Sequence, residues 1–171
     1  MLETSWHIAS KVGAILLLLS LSIGCEKINC DREEPTLEHD TLRLNDARDS
    51  LVFLLNFEDC QGDIGHIGDI DSTTIRSVRT FMFELIDGDW QRWYPLNLDD
   101  TVVFFSVIPG SRKNREGWLL KGVIEQKFGL SNLRQNSDTI RFETYIIDQA
   151  ENKSNIVVSP AFIFPQAYQP N

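Results

Sequence analysis

Asp138-Thr139-Ile140-Arg141-Phe142-Glu143-Thr144-Tyr145-Ile146-Ile147-Asp148 is the stretch that decides the fold. Ile140, Phe142, Thr144 and Ile146 alternate with Arg141, Glu143 and Tyr145, so a strand here buries one face and wets the other. Upstream, Asp49-Ser50 precedes the apolar run Leu51-Val52-Phe53-Leu54-Leu55-Asn56-Phe57, dense enough for a central strand with Leu51, Phe53, Leu55 and Phe57 on one face. Thr80–Ile86 is rich in aromatics and ends at Asp87-Gly88-Asp89, a turn signal, after which Trp90–Leu96 returns as a hairpin partner. Ile75, Val78, Met82 and Leu85 also fit helical spacing, but Phe81 and Phe83 beside the Asp-Gly turn favour strand.

The remaining runs share this grammar. Thr101–Ile108 is β-branched and aromatic and is closed by Pro109-Gly110. Trp118–Phe128 carries Leu120 and Ile124, with Gly122 expected to mark a bulge. The turn Asp148–Asn155 leads to Ile156–Phe164. About seven such strands with turns between them predict an all-β, two-sheet Greek-key sandwich over residues 38–165, followed by a tail at 166–171.

The N-terminus has a different character. Lys11 and the amino group precede the apolar run Val12–Ile23, which fits the charged and apolar regions of a secretory leader. The run is shorter than the ~18 residues that a membrane span needs. Its end, Leu21-Ser22-Ile23-Gly24-Cys25, resembles the lipobox of bacterial lipoproteins, with Ser22 where leucine is most usual. That resemblance implies removal of residues 1–24, attachment of diacylglycerol to Cys25, and an outer-membrane location. The polar, acidic segment 25–37, with Asp31-Arg32-Glu33-Glu34 and Pro35, then reads as a tether.

Charge excludes one class of partner. The formal net charge is −9, and losing Glu3 and Lys11 with the leader leaves it unchanged. Nucleic-acid binding needs clustered Lys and Arg to neutralise phosphates, and this balance argues against it. The loop patch Arg112-Lys113-Asn114-Arg115 is read as solvated. Of three cysteines, Cys25 is assigned to lipid, which leaves Cys30 and Cys60 as a candidate disulfide in an oxidising compartment or as two separate thiols.

Two further motifs carry a family resemblance. Asp138–Glu143 running into Asp148-Gln149-Ala150-Glu151-Asn152-Lys153-Ser154-Asn155 resembles the last hairpin of bacterial immunoglobulin-like domains, with Glu151 where glycine is usual. Phe57-Glu58-Asp59-Cys60-Gln61-Gly62-Asp63-Ile64-Gly65 is similar to an Asp/Gly loop of uncharacterised Bacteroidota lipoproteins. The resemblance implies an immunoglobulin-like fold and an envelope compartment, and brings no biochemical activity with it.

Candidate chemistry is sparse. The loop Glu58–Asp71 is dense in carboxylates, which suits a hard cation such as Ca²⁺, although Gln61 breaks the EF-hand alternation. If Leu51–Phe57 is the second strand and Asp138–Asp148 the sixth, their following loops share one end of the sandwich. Asp59, Asp63 and Asp148 are then within reach of one another, held by a cation or by backbone N–H donors. Zinc through Asp63, His66 and Asp69 fits less well, because structural zinc favours Cys and His. No Gly-x-Ser-x-Gly elbow is present, and His39 and His66 have no nucleophile context, so no enzyme is expected. Trp90, Trp93 and Tyr94 form a candidate binding platform, with Trp90 and Tyr94 on one face of a strand and Trp93 on the other. Two functions follow as expectations: a lipid-anchored, non-catalytic module that contacts an envelope protein, or a surface accessory protein that binds a glycan or Ca²⁺.

Overall fold

The computed structural model describes residues 30–66, 69, 76–93, 104–110, 119–133 and 136–165. The leader, Cys25, Tyr94, Asp71, the patch 112–115 and the tail 166–171 lie outside these residues. The chain is all-β: β1 (Thr36–Leu44), β2 (Ser50–Asp59), β3 (Val78–Ile86), β4 (Asp89–Arg92), β5 (Phe104–Ser106), β6 (Leu120–Gly129), β7 (Thr139–Ile146), β8 (Val157–Val158) and β9 (Phe162–Ile163). One turn of 3₁₀ helix, Leu130–Asn132, follows β6. Among the described residues no helix is long and apolar enough to cross a membrane.

The strands form two antiparallel sheets. One has the order β1-β2-β6; the other has the order β4-β3-β7-β8, with β5 also on β3 and β9 also on β7. Alternation supplies the core between them. Leu51, Phe53, Leu55 and Phe57 from β2 face Val78 and Met82 from β3 and Ile140, Phe142 and Ile146 from β7. Phe142 stacks on Phe128 of the opposite sheet at 4.6 Å between centroids and lies 5.9 Å from Phe53. A small polar seam crosses the same interior. Thr80 donates to Gln126 Oε1 at 2.7 Å and pairs with Thr144 at 2.9 Å, so each buried hydroxyl has a partner.

The strand alternative for Thr80–Ile86 is the one adopted, because the side chains of β3 must serve two faces. Val78, Thr80, Met82 and Glu84 turn inward, while Arg79, Phe81, Phe83 and Leu85 turn outward beside β7 residues of the same face. The Asp87-Gly88 turn has φ of 52° and 89°, the left-handed pair that a two-residue hairpin requires. Trp90 and Arg92 follow in register with Leu85 and Phe83.

Two expectations are corrected. Gly122 is not a bulge: it pairs with Phe57 in an unbroken register from Ser50↔Gly129 to Asp59↔Leu120. It is glycine because the Phe57 ring lies over it, and a Cβ there would sit 2.5 Å from Phe57 Cε1. The segment read as a tether is also part of the domain in its second half. Thr36 already pairs with Glu58, Leu37 is buried in the core, and Pro35 is buried. Burying Leu37 and pairing β1 stabilise more than a solvated linker would, because both apolar area and ladder hydrogen bonds are gained.

Candidate functional site

The turns that leave β2 and β7 meet at one end of the sandwich, called here the β2–β7 end. Asp59 closes β2 and Asp148 follows β7, and both are almost fully buried. Asp59, Asp63 and Asp148 each offer a carboxylate oxygen within 4.8 Å of the others. Asp59 and Asp148 are held by their own turns. Asp59 accepts from the N–H of Gln61 at 3.1 Å and of Ile64 at 2.8 Å. Asp148 accepts from Asn152 N–H at 2.7 Å and from its side-chain amide at 2.9 Å. These are Asx-type turns, so the two carboxylates shape their loops whatever else they do.

Asp63 is different. Its Oδ1 is buried and has no hydrogen-bond partner. Burial pushes its carboxyl above the usual carboxylate range, and the charges of Asp148 and Asp59 push it further the same way. The loop holding it uses Gly62 and Gly65 at φ of 69° and 100°. It is fastened by His66, whose N–H donates to Ile108 O at 2.9 Å and whose O accepts from Gly110 N–H at 2.6 Å. His66 Nε2 lies 3.0 Å from the backbone oxygen of Asp69, so the set Asp63, His66 and Asp69 does not emerge as a ligand cluster among the described residues.

A disulfide, Cys30–Cys60, closes the same end. Next to it, Glu58 pairs with Lys121 and with Arg32, the latter at 3.2 Å. Hydrogen bonding from Lys121, helped by both positive charges, holds the Glu58 carboxyl below its ordinary range. A shallow depression of about 460 Å³ lies on the outer side of β1-β2-β6, lined by residues including Glu38, Asn56, Phe57, Glu58, Lys121 and Val123. Its charged groups largely satisfy one another, and Phe57 is its one aromatic residue. That is poor ground for a stacking cleft.

The outer face of β4-β3-β7-β8 gathers cations over aromatic rings. Arg92 lies over the Phe81 ring at 3.8 Å, Arg141 over Trp90 at 4.6 Å and Phe83 at 5.4 Å, and Lys153 over Tyr145 at 3.8 Å. Arg141 also pairs with Glu143 at 2.9 Å. Beyond them, Val158 and Ile163 are 48% and 65% exposed. Val158 pairs with Glu143 and Ile163 with Thr139, which places both on this same face. Trp93 is on the other side, stacked near Phe104 against the core, while Trp90 faces out. Of the platform residues, then, Trp90 belongs to this face; Phe81, Phe83, Arg92, Arg141 and Tyr145 join it. The sequence signal for them was the two-sided apolar character of Thr80–Ile86, which a strand with one wet face does not need.

Comparison with protein-family models, with curated proteins and with solved structures gives no match.

Proposed function

We propose that this chain is a lipid-anchored, non-catalytic module of the bacterial outer membrane, and that it contacts another envelope protein through the outer face of β4-β3-β7-β8. The observation that carries the contact is that face itself. Aromatic rings interleaved with guanidinium groups are the residue types enriched where proteins recognise proteins. Here they are joined by exposed Val158 and Ile163, and their three cations sit on a chain of net charge −9. The anchor rests on the lipobox-like Leu21–Cys25. The strand order β1-β2-β6 against β4-β3-β7-β8 supports the finer reading of an immunoglobulin-like Greek key, matching A-B-E and C′-C-F-G in that fold.

The test is recovery of partners from detergent-solubilised membranes. Wild type and Val123→Asp, altered on the opposite sheet, should recover the same protein. Trp90→Ala combined with Ile163→Asp should lose it while keeping the melting temperature. If the double variant still recovers it, the face is not the contact. Acylation is read separately: the mass of the membrane form should include diacylglycerol on Cys25, and Cys25→Ala should release the protein.

A second reading has one observation in its favour. The unpartnered Asp63 Oδ1 beside Asp59 and Asp148 is an oxygen that a Ca²⁺ ion would satisfy. Hard cations take six to eight oxygens, so carbonyls or water would have to complete the shell. A rise in melting temperature with millimolar calcium, abolished in Asp63→Asn, supports it; no shift removes it.

A further inference from the structure

The disulfide and the reach of the chain together orient the domain on its membrane. We propose that the Cys30–Cys60 bridge is a leash-shortener, holding the β2–β7 end, with Asp59, Asp63 and Asp148, next to the lipid surface to which Cys25 is attached. The proposal rests on the reading of Cys25 as the acylated residue.

The argument is one of lengths. Cys25 and Cys30 are five peptide steps apart, which span at most ~18 Å when fully extended, at ~3.6 Å per residue. From Cys30 onward the chain is pinned to the β2–β7 end. Cys30 is bonded to Cys60, Arg32 pairs with Glu58, and the Asn152 amide donates to Glu33 O at 3.3 Å. Pro35 is buried, and Thr36 enters β1 opposite Glu58. The strands β1, β2 and β6 are nine or ten residues long, so the sandwich extends ~30 Å away from this end, at ~3.3 Å per residue. A leash of ~18 Å is shorter than that. The domain can stand or lie on the membrane, but it cannot invert to place the Asp46–Asp49 and Asp87-Gly88 turns on the lipid with its anchored end outermost.

The bridge decides this. Without it, the first buried residue among those described is Pro35, ten steps from Cys25, and the leash grows to ~36 Å. That exceeds the length of the sandwich and permits inversion. The exposed Arg32–Glu58 pair would not prevent it, since exposed pairs hold with ~1 kcal/mol or less. Nor does attraction to the membrane set the orientation. Asp31, Glu33, Glu34 and Glu151 are exposed at this end, and an anionic surface would repel them. The covalent link fixes the geometry.

The experiment uses the mature chain from Cys25, whose remaining two cysteines are bridged. Its Cys25 thiol is coupled to a maleimide lipid in phosphatidylcholine vesicles that carry an acceptor-labelled lipid. A fluorescent amino acid is placed at Ala150, in the turn after β7, or at Ala47, in the turn between β1 and β2; both positions are exposed. Energy transfer should be clearly higher from position 150 than from position 47. Inserting twenty Gly/Ser residues after Asn29 should narrow that difference, because a linker of that composition reaches ~25 Å on average with the bridge intact. The Cys30→Ser/Cys60→Ser variant should narrow it too. Equal transfer from the two positions, higher transfer from position 47, or a difference untouched by the insertion or by loss of the bridge would overturn the proposal. Because the synthetic anchor replaces the natural one, failure here is distinct from failure to find acyl chains on Cys25.

Discussion

Asp63→Asn should stabilise the protein at neutral pH. Asp63 shares a 4.8 Å cluster with Asp59 and Asp148, whose own oxygens are already committed to backbone and Asn152 donors. Two like charges at this spacing repel by about 0.9 kcal/mol at a water-like dielectric, a lower bound here because Asp59 and Asp148 are buried and Asp63 is half-buried. Two such pairs give about 1–2 kcal/mol, and the asparagine amide can donate to a neighbouring carboxylate where the aspartate cannot. For a domain of this size the gain is about 3–6 °C in melting temperature. The sign with pH is as follows. A carboxyl raised in the folded state binds more protons there than in the unfolded chain, so its contribution falls as pH rises from its unfolded value through its folded one. The advantage of Asp63→Asn is therefore largest at neutral pH and shrinks on acidification into that window. Glu58 and Asp49, whose carboxyls are lowered, lose their contributions as pH falls further, but they do so equally in both proteins and cancel in the difference. Urea unfolding of both proteins across pH 3–7, in EDTA, measures it. A destabilised Asp63→Asn, or a difference that does not change with pH, would refute the repulsion argument.

Other substitutions test particular contacts. Gly122→Ala should cost about 1–2 kcal/mol net, because overpacking against the Phe57 ring outweighs the entropy gained in the unfolded chain, and Phe57→Leu should remove most of that cost in a double-mutant cycle. Glu151 sits at φ 68°, so Glu151→Gly should gain about 0.5–1 kcal/mol by calorimetry, the relieved left-handed strain exceeding the added chain entropy. Cys30→Ser/Cys60→Ser should lose about 3–4 kcal/mol in chemical unfolding, the loop-closure value for a separation of 30 residues.

What could be read from the sequence was whatever one strand or one turn determines by itself. The alternation in Thr139–Ile146 and Leu51–Phe57 set their inward residues, and Asp87-Gly88 set its turn, because side-chain direction and φ are local properties. The approach of Asp59, Asp63 and Asp148 followed from strand order, which fixes the end at which a loop emerges. What could not be read depends on register between distant strands. Gly122 looked like a bulge until its partner was Phe57. The Arg141–Trp90 and Arg92–Phe81 contacts need β7, β3 and β4 to be aligned to the residue, and a slip of one position would send every ring to the core. Leu37 looked like the end of a tether because its hydrogen-bonding partner, Asn155, lies 118 residues away.

That last contact bears on why three otherwise separate features share one end. The Asn155 amide clamps the N–H and O of Leu37 at 2.9 and 2.8 Å, so the turn that carries Asp148 also fixes the start of β1. Asn152 of the same turn reaches Glu33 O, and Cys60, next to Asp59, holds Cys30. Each carboxylate loop is thus fastened to the segment that leads back towards Cys25. A cluster of acids costs stability, and a sandwich needing only stability would place those acids apart. Here the loops that bear the cost are also the ones that grip residues 30–37, so loosening either should loosen both. Hydrogen exchange gives the measurement. In Cys30→Ser/Cys60→Ser, protection should fall at Leu37, Ile64 and Asn152 before it falls at Phe53 or Phe142. Uniform loss across both sheets would mean that the end has no stability unit of its own.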